Sequence, residues 1–294
     1  MTLSLSSPTF ATASATQTLL ICPICEQSLT KSNNPSDKSL ACENKHSFDY
    51  SKEGYINLLP PQHKKTKDPG DNKTMIHCRR DFLEKGFYEF LIPELNSIVE
   101  NKQREKESCV FVDSGCGEGY FTNKIEHSLN NNLRFYGMDI SKEAIRLAAK
   151  RNKSVQWFVA SSNNIPIQLR SVDIVLKINA PLNYNNLQSK LSDEAIVISV
   201  TPGKNHLNKL REVMYLKPQT HKQEDTPDGF SLLTQNEVET EINICNKQDI
   251  KNLFMMTPYY WNASAKVKEI VERLDSLNTS AAFNINIYQR NRNQ

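Results

Sequence analysis

The chain has 294 residues, 38% of them hydrophobic and 23% charged, which is ordinary for a globular protein with one large domain or two unequal ones. The formal net charge of +3 is too small to indicate a polyanionic partner, so local clusters must decide that question. No apolar run approaches the roughly 18 residues of a membrane-spanning helix, and seven irregularly spaced cysteines favour a reducing compartment. We therefore expect a cytoplasmic protein with no membrane partner.

The first 20 residues are rich in Ser, Thr and Ala. They lack the basic start and the compact apolar stretch of a secretory signal. This composition predicts a disordered extension over residues 1–20.

Residues 21–60 contain the pattern C-x2-C-x16-C-x3-H, formed by Cys22, Cys25, Cys42 and His46. Two short pairs joined by a longer loop supply the four ligands of a tetrahedral zinc ion, and the protein fills every position. A segment this small buries too little apolar surface to fold alone, so a metal cross-link has a physical purpose. The pattern predicts a module with one structural Zn²⁺. A redox role for the first pair would need a preceding strand and a following helix, which the sequence does not indicate.

Residues 61–80 combine proline, glycine and charge, which is typical of an exposed connector, and we place the domain boundary here. Basic side chains outnumber acidic ones in this predicted basic linker: Lys64, Lys65, Lys67, Lys73, Arg79 and Arg80 against Asp68 and Asp71. Such a stretch could follow a phosphate backbone, and a solvated linker is the alternative.

The remaining chain, residues 81–294, alternates strand and helix patterns. Apolar residues at helical spacing predict helix from Met75 to Asn101, with interruptions near Gly86 and Pro93. Predicted strands are Cys109 to Asp113, Arg134 to Asp139, Val155 to Ala160, Val172 to Ile178 and Ala195 to Thr201, with helices at Tyr120 to Glu126 and Ser141 to Lys150. Two more helices and a last alternating strand are indicated in the C-terminal third. The alternation predicts an α/β fold with a parallel sheet covered by helices.

Three glycines follow the first of these strands, at positions where the chain must turn into a helix. Gly115, Gly117 and Gly119 let the backbone turn sharply and let a ligand approach. The second strand ends in Asp139, whose carboxylate can accept hydrogen bonds from ribose hydroxyls. Together with Asp113 at the strand end, these residues predict a nucleotide-type cofactor site. An ordinary strand-to-helix turn capped by Asp113 is the alternative.

The spacing of the loop separates two kinds of cofactor. A pyrophosphate fingerprint reads G-x-G-x-x-G, whereas here the third glycine comes one residue early and Glu118 stands in the loop. A carboxylate beside a diphosphate is repelled by roughly 1 kcal/mol or more. S-adenosylmethionine carries a sulfonium cation and no phosphate, so the loop favours it over NAD. Cys116 is interpreted as a small packing residue rather than a nucleophile.

The motifs together resemble one family. They are "CPIC", "CENKHSFDYSKEGYINLLP", "DPGD", "RRDFLEKGFY", "DSGCGEGYFT", "GMDISKEAI", "ASSNNIP" and "TPGKNHL". From Cys22 to the C-terminus the chain resembles the 23S ribosomal RNA guanine-N1 methyltransferases, which have a sister group that confers macrolide resistance. The resemblance implies a class I (Rossmann-like) S-adenosylmethionine-dependent methyltransferase domain preceded by a small N-terminal zinc-binding domain that recognises RNA.

The resemblance also implies roles for individual residues. Cys22, Cys25, Cys42 and His46 would hold zinc, and Tyr88, Glu118, Gly119 and His206 would contact S-adenosyl-L-methionine, with Asp139 on the ribose. The implied substrate is N1 of a guanine in a 23S rRNA hairpin, guanine 745 rather than 748. A homodimer would let two zinc modules grip one RNA.

Guanine N1 carries a proton on the Watson–Crick edge, so the base must be unpaired and extruded before transfer. The sequence names no acceptor for that proton. Asn179, in the stretch "INAPLN", is a hypothesis for hydrogen bonding to the guanine edge.

Three other functions compete with this one. A small-molecule methyltransferase would leave the zinc module and the basic linker without a purpose. A zinc-module RNA binder without enzymatic activity would leave the glycine loop and Asp139 unexplained. A nicotinamide-dependent oxidoreductase conflicts with the loop spacing.

Overall fold

The structure, a computed structural model, describes residues 17–31, 38–63, 69–104, 106–129, 132–214 and 221–291. The strands are β1 Gln17–Ile21, β2 Ser28–Lys31, β3 Ser39–Ala41, β4 Ser47–Asp49, β5 Ile56–Asn57, β6 Cys109–Ser114, β7 Leu133–Asp139, β8 Gln156–Val159, β9 Val172–Ile178, β10 Leu191–Pro202, β11 Phe230–Ile244 and β12 Leu277–Arg290. The helices are α1 Lys73–Glu84, α2 Leu91–Gln103, α3 Tyr120–Ser128, α4 Lys142–Arg151, α5 Tyr184–Gln188, α6 Asn208–Met214, α7 Lys247–Met255, α8 Pro258–Asn262 and α9 Ala265–Glu272. Within these described ranges, no helix combines the length and apolarity needed to cross a bilayer.

The large sheet has the strand order β11-β12-β10-β9-β6-β7-β8-β5. From β10 to β5 every pairing is parallel, and β12 runs antiparallel between β10 and β11. The order reverses direction beside β6, which is where a doubly wound sheet opens a crevice for a ligand. The predicted α/β fold with a parallel sheet is therefore confirmed.

A second, four-stranded antiparallel sheet of order β1-β2-β3-β4 forms the N-terminal ribbon, residues 17–50. The chain then contributes β5 to the large sheet, where Ile56 and Asn57 pair in parallel with Phe158 and Val159. The Leu58 N–H continues this pairing by donating to the Val159 carbonyl over 2.9 Å. The ribbon is thus attached at the edge of the large sheet.

The two faces of the large sheet are covered differently. Side chains that point to one face of the sheet, such as Phe111 and Trp157, pack under helices α1, α2, α3, α4 and α7. Side chains of the other, such as Val112 and Phe158, pack against α5 and the ribbon, whose buried leucines are Leu19, Leu20, Leu29 and Leu40. The ribbon therefore shares a hydrophobic core with the sheet.

Three expected boundaries differ from the observed ones. The ribbon begins at Gln17, so the predicted extension is four residues too long, and residues 1–16 lie outside the described ranges. The predicted linker is also too long, because residues 73–80 form the first two turns of α1; Lys64, Lys65, Lys67 and Asp68 lie outside the described residues. Pro93 does not interrupt the helix, since it stands in the first turn of α2, where its missing N–H is tolerated.

Candidate active site and metal centre

The four predicted zinc ligands lie together at one end of the ribbon. Their ligand atoms are all within 4.8 Å of one another. His46 Nδ1 lies 3.5 Å from both Cys22 Sγ and Cys42 Sγ, and Cys25 Sγ lies 3.6 Å from Cys42 Sγ. A tetrahedral ion bonded at about 2.3 Å to sulfur and about 2.0 Å to nitrogen separates its ligands by about 3.5 to 3.8 Å. The donor set and its spacing therefore fit Zn²⁺ with no open position.

Two similar turns present these ligands. The Cys22 N–H donates to the Gln27 carbonyl across the first turn, and the Cys42 N–H donates to the His46 carbonyl across the second. Each turn contains a residue with positive φ, Glu26 at 60° and Lys45 at 63°. These turns bend the chain enough for both ligands of a pair to face one point.

The glycine loop forms the floor of the candidate cofactor site. Gly115 has φ of 81°, and a Cβ there would lie 2.4 Å from the Cβ of Ala180. Gly119, also at positive φ, lies against Trp157 and Ala148 instead, with a Cβ position 2.7 Å from the indole. Gly115 thus keeps the loop close to the end of β9, whereas Gly119 allows α3 to pack closely on the sheet.

Asp139 is held by the backbone of the loop it faces. Its two carboxylate oxygens accept hydrogen bonds from the Gly117 N–H at 3.0 Å and the Ser141 N–H at 2.8 Å. Burial raises the pKa of Asp139 above its ordinary value, and these two N–H groups oppose that rise. The carboxylate is therefore fixed in orientation at the carboxyl end of β7, where a ribose would be bound.

Asp113, at the end of β6, is more strongly affected by burial. Desolvation raises its pKa from 3.8 to about 7, although the Thr122 hydroxyl donates to it over 2.5 Å. A cationic ligand beside Asp113 would favour the charged carboxylate.

A cavity of about 840 Å³ opens at the carboxyl ends of the parallel strands. Its lining includes the predicted cofactor residues Tyr88, Asp113, Gly115, Gly117, Glu118, Asp139 and His206. Gly119 is not part of the lining, for the packing reason given above. Seven of the eight predicted residues thus converge on one cavity from β6, β7, the α1–α2 connection and the segment after β10.

Several buried polar atoms on the cavity wall lack a hydrogen-bond partner among the described residues. They are Tyr88 Oη, Glu118 Oε1, Thr201 Oγ1 and His206 Nδ1. An unpaired buried polar atom costs roughly 1–3 kcal/mol, so such atoms mark a place where a polar ligand binds. This wall fits a ligand with hydroxyl, amino and carboxylate groups, as S-adenosyl-L-methionine has.

The two carboxylate oxygens of Glu118 have different environments. One oxygen is ion-paired with Arg151 of α4, which also pairs with Glu84 of α1. Burial raises the pKa of Glu118 while Arg151 opposes the rise. With Asp113 and Asp139, Glu118 gives the cavity a set of carboxylates that suits a cationic ligand and disfavours a diphosphate.

His206 lies deep in the wall beside aromatic rings. Its ring centroid is 4.5 Å from that of Phe283 and 5.9 Å from that of Tyr88. Burial lowers the pKa of His206 to about 3, and His221 adds to this effect. His206 is therefore a neutral hydrogen-bonding group at physiological pH rather than a charged one.

The opposite end of the cavity lies beside β9 and β10. Asn179 adopts φ of 52°, a left-handed conformation in which its backbone N–H donates to the Val200 carbonyl over 2.9 Å. Strained non-glycine residues concentrate at functional sites. Asn179, Ala180, Pro181 and Pro202 line the cavity here, on the other side of β6 from Asp139 at the end of β7.

Sequence reasoning missed three residues near the cavity. Arg79 was counted in the linker, but it follows Met75 by one helical turn on the face of α1 that lines the cavity, and it pairs with Asp71 at 2.6 Å. Lys177 lines the cavity from β9. Trp261, 47% exposed, follows the cavity-lining Pro258 by three residues on α8, although it is not itself part of the lining. Helical periodicity could have indicated Arg79, since Met75, Arg79 and Leu83 recur at i+4 intervals.

Comparison with known proteins agrees with this geometry. The family model for the RlmA N-terminal zinc ribbon matches residues 20–67, and a methyltransferase domain model matches residues 111–196. The chain is 27% identical over 275 residues to a Bacillus subtilis protein named "Putative 23S rRNA (guanine-N(1)-)-methyltransferase YxjB", covering 90% of this chain and 94% of the relative. It is 26% identical over 249 residues to the 23S rRNA (guanine(748)-N(1))-methyltransferase of Streptomyces fradiae, covering 83% and 86%.

Sheet topology, cavity and metal cluster define an S-adenosylmethionine-dependent methyltransferase with a structural zinc ribbon. The order of the parts, an RlmA ribbon followed by a methyltransferase domain, is the order that the sequence motifs predict. The resemblance to the 23S rRNA guanine-N1 methyltransferases is therefore confirmed.

Proposed function

We propose that this protein transfers the methyl group of S-adenosyl-L-methionine to N1 of a guanine in a 23S rRNA hairpin. The observation that carries the proposal is one cavity lined both by the predicted cofactor residues and by Asn179 to Pro181 across β6, in a chain whose zinc ribbon matches the RlmA model. One end has Asp139 and the carboxylates suited to a nucleoside with a cationic side. We place the acceptor base at the part of the cavity lined by Asn179 to Pro181, the acceptor end, across β6 from Asp139.

Different residues of the cavity would bind different parts of the cofactor and the base. Asp139 accepts hydrogen bonds from the ribose, while Tyr88 and His206 hold the amino acid end with their unpaired atoms. Bound S-adenosyl-L-methionine supplies a methyl group on a sulfonium, and alignment with the base provides much of the rate. Asn179, which lines the cavity, is our candidate for hydrogen bonding to the guanine edge. We propose that the exposed ring of Trp261, three residues after the cavity-lining Pro258 on α8, stacks on a neighbouring unpaired base.

RNA is a better acceptor class for this chain than a small molecule. The reaction of a small acceptor would need only the cavity. The ribbon covers one face of the sheet and holds a metal site, and neither feature contributes to such a reaction. A polyanionic acceptor also predicts strong inhibition by salt, which a small neutral acceptor does not.

The test is reverse transcription along unmethylated 23S rRNA after incubation with the protein and S-adenosyl-L-methionine. Methylation of N1 removes a Watson–Crick donor, so a cofactor-dependent stop one nucleotide before the modified base is expected. We propose guanine 745 as the position, and the stop distinguishes it from 748. Absence of any stop, with cofactor binding confirmed by calorimetry, would favour the small-molecule methyltransferase instead.

The proposal extends to the setting of the protein. An rRNA substrate places it in the cytoplasm. A homodimer would bring two ribbons to one hairpin, and light scattering during size exclusion, with and without the RNA, measures that stoichiometry.

A further inference from the structure

A buried ion pair lies at the acceptor end of the cavity and is not used by the site described above. Lys177 stands near the carboxyl end of β9, lines the cavity, and has a side chain only 6% exposed. Its Nζ lies 2.6 Å from Oε1 of Glu224, in the segment between α6 and β11. The Ser199 hydroxyl of β10 donates to the other oxygen of Glu224. Glu224 thus has both oxygens occupied, and Lys177 is held in place.

The energetics of this pair argue against a purely structural role. The Lys177 side chain is 6% exposed and that of Glu224 is 22% exposed, so the lysine bears most of the desolvation cost. Removing a charge from water costs several kcal/mol, and a buried pair is often no more stable than apolar residues of the same volume. The neighbours of Lys177 on β9, Val175 and Leu176, are fully buried aliphatic residues. An ammonium group at this one cavity-lining position is therefore better explained by a ligand than by stability.

The donors of Lys177 fit one feature of guanine. An ammonium has three N–H donors, and among the described residues Glu224 is its hydrogen-bond partner. Guanine presents O6 next to N1, and lysine is a common partner of that oxygen. A guanine whose N1 faces the cofactor would therefore also present the adjacent O6 to the cavity wall at the acceptor end.

We propose that Lys177 donates a hydrogen bond to O6 of the target guanine, with Glu224 as the positioning residue that orients it; this inference rests on the proposed function. As N1 loses its proton to water, negative charge spreads from N1 to O6, and the ammonium stabilises it. The N1 electron pair then forms the bond to the methyl carbon while the carbon–sulfur bond breaks and its electrons remain on sulfur, giving a neutral thioether. Lys177 acts only as a hydrogen-bond donor, and water rather than Lys177 takes the N1 proton.

The test compares Lys177→Met with Lys177→Arg in single-turnover methylation of an rRNA hairpin. Lys177→Met should slow methyl transfer at least 100-fold while the affinity for S-adenosylhomocysteine changes less than threefold, and Lys177→Arg should restore most of the rate because it keeps the cation. Lys190→Met is the matched control, since Lys190 is equally buried but does not line the cavity. If Lys177→Met does not fold, Lys177→Met with Glu224→Gln removes both charges and leaves no lone buried carboxylate.

A modified substrate tests the O6 contact directly. With sulfur in place of O6, a weaker acceptor, the rate penalty of Lys177→Met should shrink. An undiminished penalty, or equal rates for Lys177→Met and Lys190→Met, would overturn the inference while the enzyme still methylates rRNA. A wild-type protein that methylates no rRNA would instead overturn the proposed function.

Discussion

Loss of one zinc ligand should unfold the whole protein rather than the ribbon alone. The perturbation is Cys42→Ser, which removes a thiolate from the cluster. Without the metal the ribbon loses its fold, and its leucines Leu19, Leu20, Leu29 and Leu40 leave the core that they share with the sheet. Each buried leucine contributes about 2 kcal/mol, or roughly 8 kcal/mol together. That is comparable with the roughly 5–15 kcal/mol of net stability of a whole domain.

Thermal unfolding followed by circular dichroism, zinc content and calorimetry with S-adenosylhomocysteine measure the effect. We expect Cys42→Ser to lose its cooperative transition and its cofactor binding together. Cys245→Ser is the control, since Cys245 is exposed and lies outside the cluster. A zinc-free protein that keeps a wild-type melting temperature and cofactor affinity would refute the argument, because the ribbon would then be an independent domain.

Three further predictions concern the cavity and the exposed Trp261 of α8. Burial raises the pKa of Asp113 to about 7, so the stability that this group contributes is complete below about pH 4 and is lost as pH rises to about 7. The urea midpoint of Asp113→Asn should therefore fall less over that pH range than the midpoint of the wild type. Parallel curves of midpoint against pH would contradict this. Gly115→Ala should abolish cofactor binding in calorimetry and lower Tm by more than Gly54→Ala does. Gly54 shares the positive φ, but the space around its Cβ position is open. Equal losses of Tm in the two variants would show that backbone strain alone matters. Trp261→Ala should weaken hairpin binding by about 1–3 kcal/mol in filter binding at fixed salt, whereas Ile270→Ala, also exposed, should not; equal effects would exclude stacking.

The parallel strands other than β5 were predictable because they are largely buried apolar runs between helical patterns, whereas β5 has only two residues. β9 was predicted with its exact bounds, and β6 ends one residue later than expected. β11 gave a weaker signal, because ten of its fifteen side chains are exposed and alternation is confined to its second half, from Val238 to Ile244. Its strand conformation is set by pairing with β12 along its whole length, from Phe230 to Ile244. Pairing of this kind is a tertiary property that local pattern does not encode.

The parts of the candidate site whose residues follow a fixed sequence spacing were predictable, and the parts whose residues are far apart in the sequence were not. The zinc ligands and the glycine loop carry fixed spacings that a turn imposes. Lys177 and Glu224 lie 47 positions apart, so their contact leaves no local trace. Likewise, Leu19 and Leu20 read as part of a polar tail because the surface that covers them, near Ile167, comes much later in the chain.

The position of β5 has a consequence for synthesis on the ribosome. The ribbon emerges first, but the partner of Ile56 is Phe158, about one hundred residues later in the chain. At about 5–20 residues per second, roughly 5–20 seconds pass before that partner strand exists. During this interval the ribbon can capture its metal while its leucines face solvent or a chaperone. The ribbon is therefore fixed only after β8 has been made, and closing the edge of the large sheet is a long-range step that we expect to slow folding.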